Sequence, residues 1–293
     1  MTWDCVWFGS YPQAEVVSSA DSYTAVDKSL LKSGDIIENS SLYNKLQSVT
    51  GWDANNDITV DGNKYRRMKK SDATYTSNSY SNYYNWPDSD TWYYFKYEPI
   101  KWRVLKMDGS QAFLLSDIAL DDQQYNTEED ITWETSTIRS WLNGYGASSN
   151  KQGNDYSSKN LIGSAFSGDE RSAIVNTSVV NDDNINYGTE GGNNTTDKIF
   201  LLSELEVYGD SAAPYGFMFS NRTYDGGGAD VKAAHMQRRW EYGAIRTMRI
   251  IVTTGGCARR DTMRMTPRMS VSTAGSAMVV IMSTITMTVC VLL

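Results

Sequence analysis

Five residues at alternate positions, Asp53, Asn55, Asp57, Thr59 and Asp61, have the spacing with which an oxygen-lined loop wraps calcium. Ile58 stands where the sharp turn of such a loop needs glycine, and Lys64 where a bidentate glutamate would close it, so these residues also read as a polar lead-in to a hairpin. Asp121, Asp122, Glu128, Glu129, Asp130 and Glu134 form an acidic run. Two carboxylates facing each other across a cleft hydrolyse glycosides, one as acid and one as base or nucleophile; a run like this is otherwise a solvated loop. The stretch Asn181 to Asp197, NDDNINYGTEGGNNTTD, offers many oxygens to calcium or to sugar hydroxyls. Its Gly, Asn and Asp residues equally suit a turn-rich connection, for backbone reasons.

Other chemistry is poorly supplied. His235 is the single histidine, which leaves little room for Ser-His-Asp or Cys-His catalysis. Cys5, Cys257 and Cys290 show neither CxxC nor metal-ligand spacing. There is no GxxxxGK[ST] or GxGxxG loop to cradle phosphates. No cofactor is expected, with calcium the one metal the loops could hold. The net charge of −8 argues against nucleic acid as a partner. The 19 Tyr and 9 Trp read either as contact surface for a ligand or as a Tyr-rich β core. A polar stretch without period, Ser71 to Trp92, reads as a long surface loop. The ligand-binding candidates are therefore Trp86, Trp92 and Tyr93, whose rings could stack on sugar faces, and Asn193 and Asn194 in the second loop.

The elements that must position them are legible in part. Trp7 to Tyr11 reads as a strand ending at Tyr11-Pro12. Leu42, Leu46 and Val49 have helical spacing, with Gly51 as the stop. Asp61-Gly62 and Asp108-Gly109 each sit between strand-like runs and predict two hairpins. Thr135 or Ser136 caps a helix carrying Ile138, Trp141 and Leu142 that ends at Gly144. Ser167 to Glu170 is a capping box, Lys198 to Leu202 a short strand, and Ser203 to Glu206 a second capping box. Hairpins first and helices later imply an α+β fold, a hairpin-rich antiparallel sheet with a few short helices.

The composition changes near Met218. Before it stand 17 Lys+Arg and 31 Asp+Glu; after it stand 10 and 4, together with eight of the 12 Met. Ala274 to Leu293 is uncharged but interrupted by Ser276, Ser283, Thr284, Thr286 and Thr288, so no membrane span is expected. A frame change explains more. Codons permitted for Gly255 to Asp261, GGCARRD, read one base earlier, encode WWLRSPG. The same shift permits GVRPA from Thr288 onward. The expectation is one α+β domain over 1–218, incomplete at its C-terminus and lacking its closing strands, and an out-of-frame tail over 219–293 that is disordered or irregular. The opening MTWDCVWFGSYPQ reads as a first strand and not as a secretion signal.

WFGSYPQ (Trp7 to Gln13), YEPIKWRVL (Tyr97 to Leu105), STIRSWLNG (Ser136 to Gly144), AFS..E (Ala165 to Glu170) and KIFLLSE (Lys198 to Glu204), with the out-of-frame WWLRSPG and GVRPA, carry a resemblance. The chain resembles the bacterial family called domain of unknown function 6273. That resemblance implies a part of a secreted or cell-surface protein. The order of these motifs is also similar to that of C-type-lectin-like domains of the formylglycine-generating type, whose catalytic cysteine pair has no counterpart here. The resemblance therefore implies a non-enzymatic module binding a glycan or protein ligand; the alternative is a carboxylate-dependent enzyme acting on glycans.

Overall fold

The computed structural model describes residues 3–19, 34–72, 90–126, 131–183, 190–202 and 215, with strand backbone at 230–233, 248–249, 276–279 and 282–286. The first strand, β1 (Cys5–Val17), is kinked by register shifts between Trp7 and Ser10 and between Pro12 and Ala14. Pro12 has no N–H to give the ladder, so it sits at such an irregularity. Gly9 is at the other, with φ +70 and the Phe166 ring 2.6 Å from where a Cβ would be. Its N–H donates to Glu170 Oε1 at 3.0 Å.

A short strand, β2 (Ile36–Glu38), lies parallel to the end of β1 and leads into α1 (Ser40–Ser48), capped by the Asn39 side chain. Next come β3 (Asp57–Val60) and β4 (Asn63–Met68). Asp61 and Gly62 between them both have positive φ, as a tight hairpin turn matching strand twist requires. The 16-residue β5 (Tyr93–Asp108) turns at Gly109 into β6 (Gln111–Ser116). Both predicted hairpins are therefore present.

Strand β5 organises the sheet. One edge pairs with β1 from Tyr94 to Arg103; the other pairs first with β4, at Tyr93 to Lys96, and then with β6. Short pieces follow: β7 (Ile118–Ala119), β8 (Asp121–Gln124), α2 (Thr137–Asn143), α3 (Leu161–Ala165), α4 (Gly168–Ala173), β9 (Thr177–Val179), β10 (Thr195–Asp197) and β11 (Ile199–Phe200). Helix α2 is capped by Ser136 and ends at Gly144 in the left-handed region. The Ser167–Glu170 capping box opens α4. The second predicted capping box, from Ser203, lies outside the described residues. The α+β class is observed, with parallel pairs β1–β2 and β7–β12 (β12, Asp230–Ala233) in an otherwise antiparallel arrangement.

The residues after Met218 carry four short strands among those described. These are β12, β13 (Met248–Arg249), β14 (Ser276–Val279) and β15 (Met282–Thr286), and β15 runs antiparallel between β6 and β11. The physical reason is simple: Thr284, Ile285 and Thr286 are β-branched and suit a strand, and the open edge of β6 offers unpaired backbone groups.

The two sheet faces bury two cores. The larger gathers Tyr11, Met68, Tyr93, Phe95, Ile100 and Trp102 with the helices, and includes both Trp102 and Trp141. Trp102 is fully buried and its indole N–H donates to the Phe8 carbonyl at 2.7 Å. The smaller gathers Val16, Leu46, Val60, Tyr65 and Tyr94 beneath α1. No helix among the described residues is long and apolar enough to cross a membrane.

Candidate ligand-binding site

Side chains alternate across a strand, so adjacent residues of β4 part company. Arg66 is opposite Phe95 and Arg67 opposite Tyr94. Arg67 thus joins the face of the smaller core, where Trp52 and Trp92 pack half-buried against its margin. The Arg67 guanidinium carbon is 4.2 Å from the centre of the Trp92 ring and 4.8 Å from that of Trp52. Lys69 Nζ is 5.2 Å from the Trp92 centre. Trp52 is anchored just past α1 by its indole N–H, which donates to the Val49 carbonyl at 3.2 Å, and its ring meets Tyr94 at 5.8 Å. Tyr94 also meets Tyr43 edge-on. Burial pushes the Tyr94 hydroxyl up to about 12, Tyr43 adding to the shift and the Arg67 charge opposing it.

Cation–π contacts of this kind are worth about 0.5–2 kcal/mol each, the upper end applying where water is excluded. The arrangement is a platform of two indoles with two cations at one corner of the sheet. Trp92 is where the sequence reading placed a ligand contact. Tyr93, the next residue, faces the other way into the larger core and is 8% exposed. Trp86 lies outside the described residues. Trp52, Arg67 and Lys69 escaped the sequence reading, although the alternation of NKYRRM (Asn63 to Met68) already separates Arg67 from Arg66.

On the opposite face, the alternate carboxylates are spent on structure. Asp53 Oδ1 accepts from the N–H groups of Asn55 and Asp57, both at 2.8 Å, forming a local turn. Asp57 receives Arg66 at 2.7 and 3.0 Å, the Tyr97 hydroxyl at 2.7 Å and Lys64 Nζ at 3.1 Å. Burial raises the Asp57 carboxyl, but Arg66, Tyr97 and Lys64 outweigh it and hold the group below the usual carboxylate range. Asp61 pairs with Lys45 at 2.6 Å. The spacing that resembled a calcium loop is thus a turn and a hairpin. Among the described residues no group of three or more His, Cys, Asp or Glu side chains could hold a metal.

The acidic run is divided too. Asp121 is buried and accepts from the Tyr11 hydroxyl, Glu134 accepts from Asn193 Nδ2 at 3.0 Å, and residues 128–130 lie outside the described residues. Asn194 accepts from the Asn181 N–H at 2.8 Å, and the Asn193 carbonyl accepts from the Asn181 amide at 2.8 Å. Both are exposed, and both tie the loop back on itself. Nearby, Asp197 is fully buried and accepts from Trp133 (3.0 Å), Arg139 (2.8 Å), Thr195 (2.6 Å) and Tyr145 (3.0 Å). Asn143 accepts from the N–H groups of Lys198 and Ile199, both at 3.0 Å, and donates to the Ile199 carbonyl at 2.8 Å. The STIRSWLNG and KIFLLSE motifs are therefore two halves of one clamp.

The sequence model of one family, a domain of unknown function (DUF6273), matches residues 109–256, about half of the chain. The chain belongs to this family. The DUF6273 match begins in the β5–β6 turn, takes in the Asp197 clamp and runs past Met218. The Trp52–Arg67–Trp92 platform lies before it. No curated protein and no solved structure matches the chain.

Proposed function

We propose that this DUF6273 chain is a non-catalytic binding module of a bacterial extracellular or cell-surface protein, and that the platform of Trp52, Arg67 and Trp92 receives a glycan. The observation that carries the reading is the pair of half-buried indoles gathered on one guanidinium. Indole faces stack on the C–H faces of sugars, and the contacts of Trp52 with the Val49 carbonyl and the Tyr94 ring hold it in place at little further cost in conformational entropy. The alternative, a carboxylate enzyme acting on glycans, needs an acid that keeps its proton near neutrality. Asp57, Asp117 and Glu170 lean the other way: each lies below the usual range, held there by Arg66, by Arg103, and by the Ser167 and Gly9 N–H groups respectively, against the opposing effect of burial.

Retention on immobilised glycans tests the proposal. Trp92→Ala and Trp52→Ala are each expected to weaken retention by about tenfold, on the order of one lost aromatic contact. Retention equal to wild type in both variants, with circular dichroism unchanged, would remove the platform from the account.

A further inference from the structure

Among the described residues, four arginines are half-buried: Arg66, Arg67, Arg103 and Arg139. Three of them hold a carboxylate, Arg66 on Asp57 at 2.7 Å, Arg103 on Asp117 at 2.7 Å and Arg139 on Asp197 at 2.8 Å. Arg67 does not. Its Nε donates to the neutral amide oxygen of Asn56 at 3.2 Å, and among the described residues its guanidinium otherwise meets the two indoles. Lys69, beside the same Trp92, has no ion pair among the described residues either. The carboxylate of Asp72 accepts from the Lys69 backbone N–H at 2.9 Å. In a chain of net charge −8, the platform gathers two cations that have no ion-pair partner among the described residues.

We infer that the glycan bound at the Trp52–Arg67–Trp92 platform is acidic, carrying its carboxylate on the sugar ring as a uronate does; this rests on the platform being the binding site proposed above. The chemistry fits at two points. Guanidinium N–H donors lie in the plane of the group, so contact of its face with indole leaves its terminal nitrogens for a carboxylate, which they match in bidentate fashion. A hexuronate sets a flat C–H face next to a carboxylate, as the platform sets indole next to guanidinium. Lys69 adds a second charge that needs no fixed geometry.

The test is calorimetric titration of the full chain with hexagalacturonate and with its full methyl ester, which keeps the rings and removes the charge. Hexagalacturonate is expected to bind roughly tenfold tighter than the ester, as one charge-assisted pair would give. That advantage should shrink as salt is raised. Arg67→Gln is expected to bring the acid down to the level of the ester, and Lys69→Gln, less embedded, to reduce the advantage in part. Trp92→Ala should weaken both ligands. Equal binding of acid and ester overturns the inference and leaves the binding-module reading standing. Binding of neither, while neutral glycans are retained, also overturns the inference alone. Retention of no glycan at all overturns both. Arg67→Lys keeps the charge without the fork; if it binds the acid as well as wild type, the bidentate assignment fails.

Discussion

Arg67 sets its guanidinium carbon 4.2 Å from the centre of Trp92, whereas the residue before it, Arg66, lies on the other face and holds Asp57, its cross-strand partner on β3. Two adjacent arginines of one strand therefore serve different ends. One is paired with an acid within the fold, and the other faces aromatic rings at the margin of the smaller core.

The Arg66 side of this division predicts a stability cost. Asp57 is 3% exposed and holds Arg66, Lys64 and Tyr97 together. Asp57→Ala would leave Arg66 without its carboxylate, and breaking a buried pair by removing one partner costs about 3–5 kcal/mol. Urea unfolding of the variant is expected to show a midpoint shift of that order; a shift below about 0.5 kcal/mol would mean that the cluster is no more than a surface pair.

The same groups set an acid limb. Asp57 and Asp117 are held below the ordinary aspartate value of about 3.9, which they regain on unfolding. The unfolded chain then takes up protons first on acidification. Their contribution is complete above roughly pH 5 and is lost as pH falls through about 4 and on through the depressed folded values. Thermal melts between neutrality and pH 3 should show this loss, and Asp57→Asn should flatten it. An unchanged slope in that variant would assign the limb to other groups.

An alkaline limb has the opposite sign. Burial raises the hydroxyls of Tyr94 and Tyr145 to about 12, and those of Tyr11 and Tyr97 also stand above the usual value. Stability from these groups is full below about pH 10, where unfolded tyrosine titrates, and falls as pH rises towards the folded values. Tyrosinate absorbance is expected to lag in the folded protein and to rise with unfolding. Smooth titration near pH 10 with the fold intact would contradict the burial of these rings.

Within the DUF6273 stretch, Asp197 and Asn193 should differ sharply. Asp197 accepts from four side chains while fully buried, so Asp197→Ala is expected to cost about 3–5 kcal/mol. Asn193 is exposed, and Asn193→Ala should stay within about 1 kcal/mol. Equal losses in the two melts would refute the clamp.

The sequence showed the local signals and hid the long-range ones. Asp61-Gly62, Asp108-Gly109, Ser136, Gly144 and the Ser167–Glu170 box act through neighbours a few residues away, so turn and cap chemistry revealed them. Trp92 was legible as an aromatic at the end of a polar stretch. Its partners were not, because Trp52 and Arg67 reach it from α1's exit and from β4, and that pairing depends on the β4–β5 register. Alternate oxygens from Asp53 to Asp61 suit a turn and a hairpin as well as an ion, and the residues standing at the glycine and glutamate positions of a calcium loop, Ile58 and Lys64, already favoured the hairpin.

The residues after Met218 carry a prediction about the gene. Read one base earlier from the Thr254 codon, its nucleotides are expected to encode WWLRSPG, and GVRPA from the Thr288 codon. Resequencing decides this, and nucleotides unable to encode those peptides would make the basic, Met-rich tail the native sequence.

The most direct test of the binding-module account is one glycan panel, neutral and acidic, scored at the same time for retention of the chain and for release of reducing ends. Glycans are expected to be held intact, with retention falling about tenfold in Trp92→Ala. Catalytic release of reducing ends that survives Trp92→Ala and disappears when a carboxylate is replaced by its amide would contradict the binding-module reading.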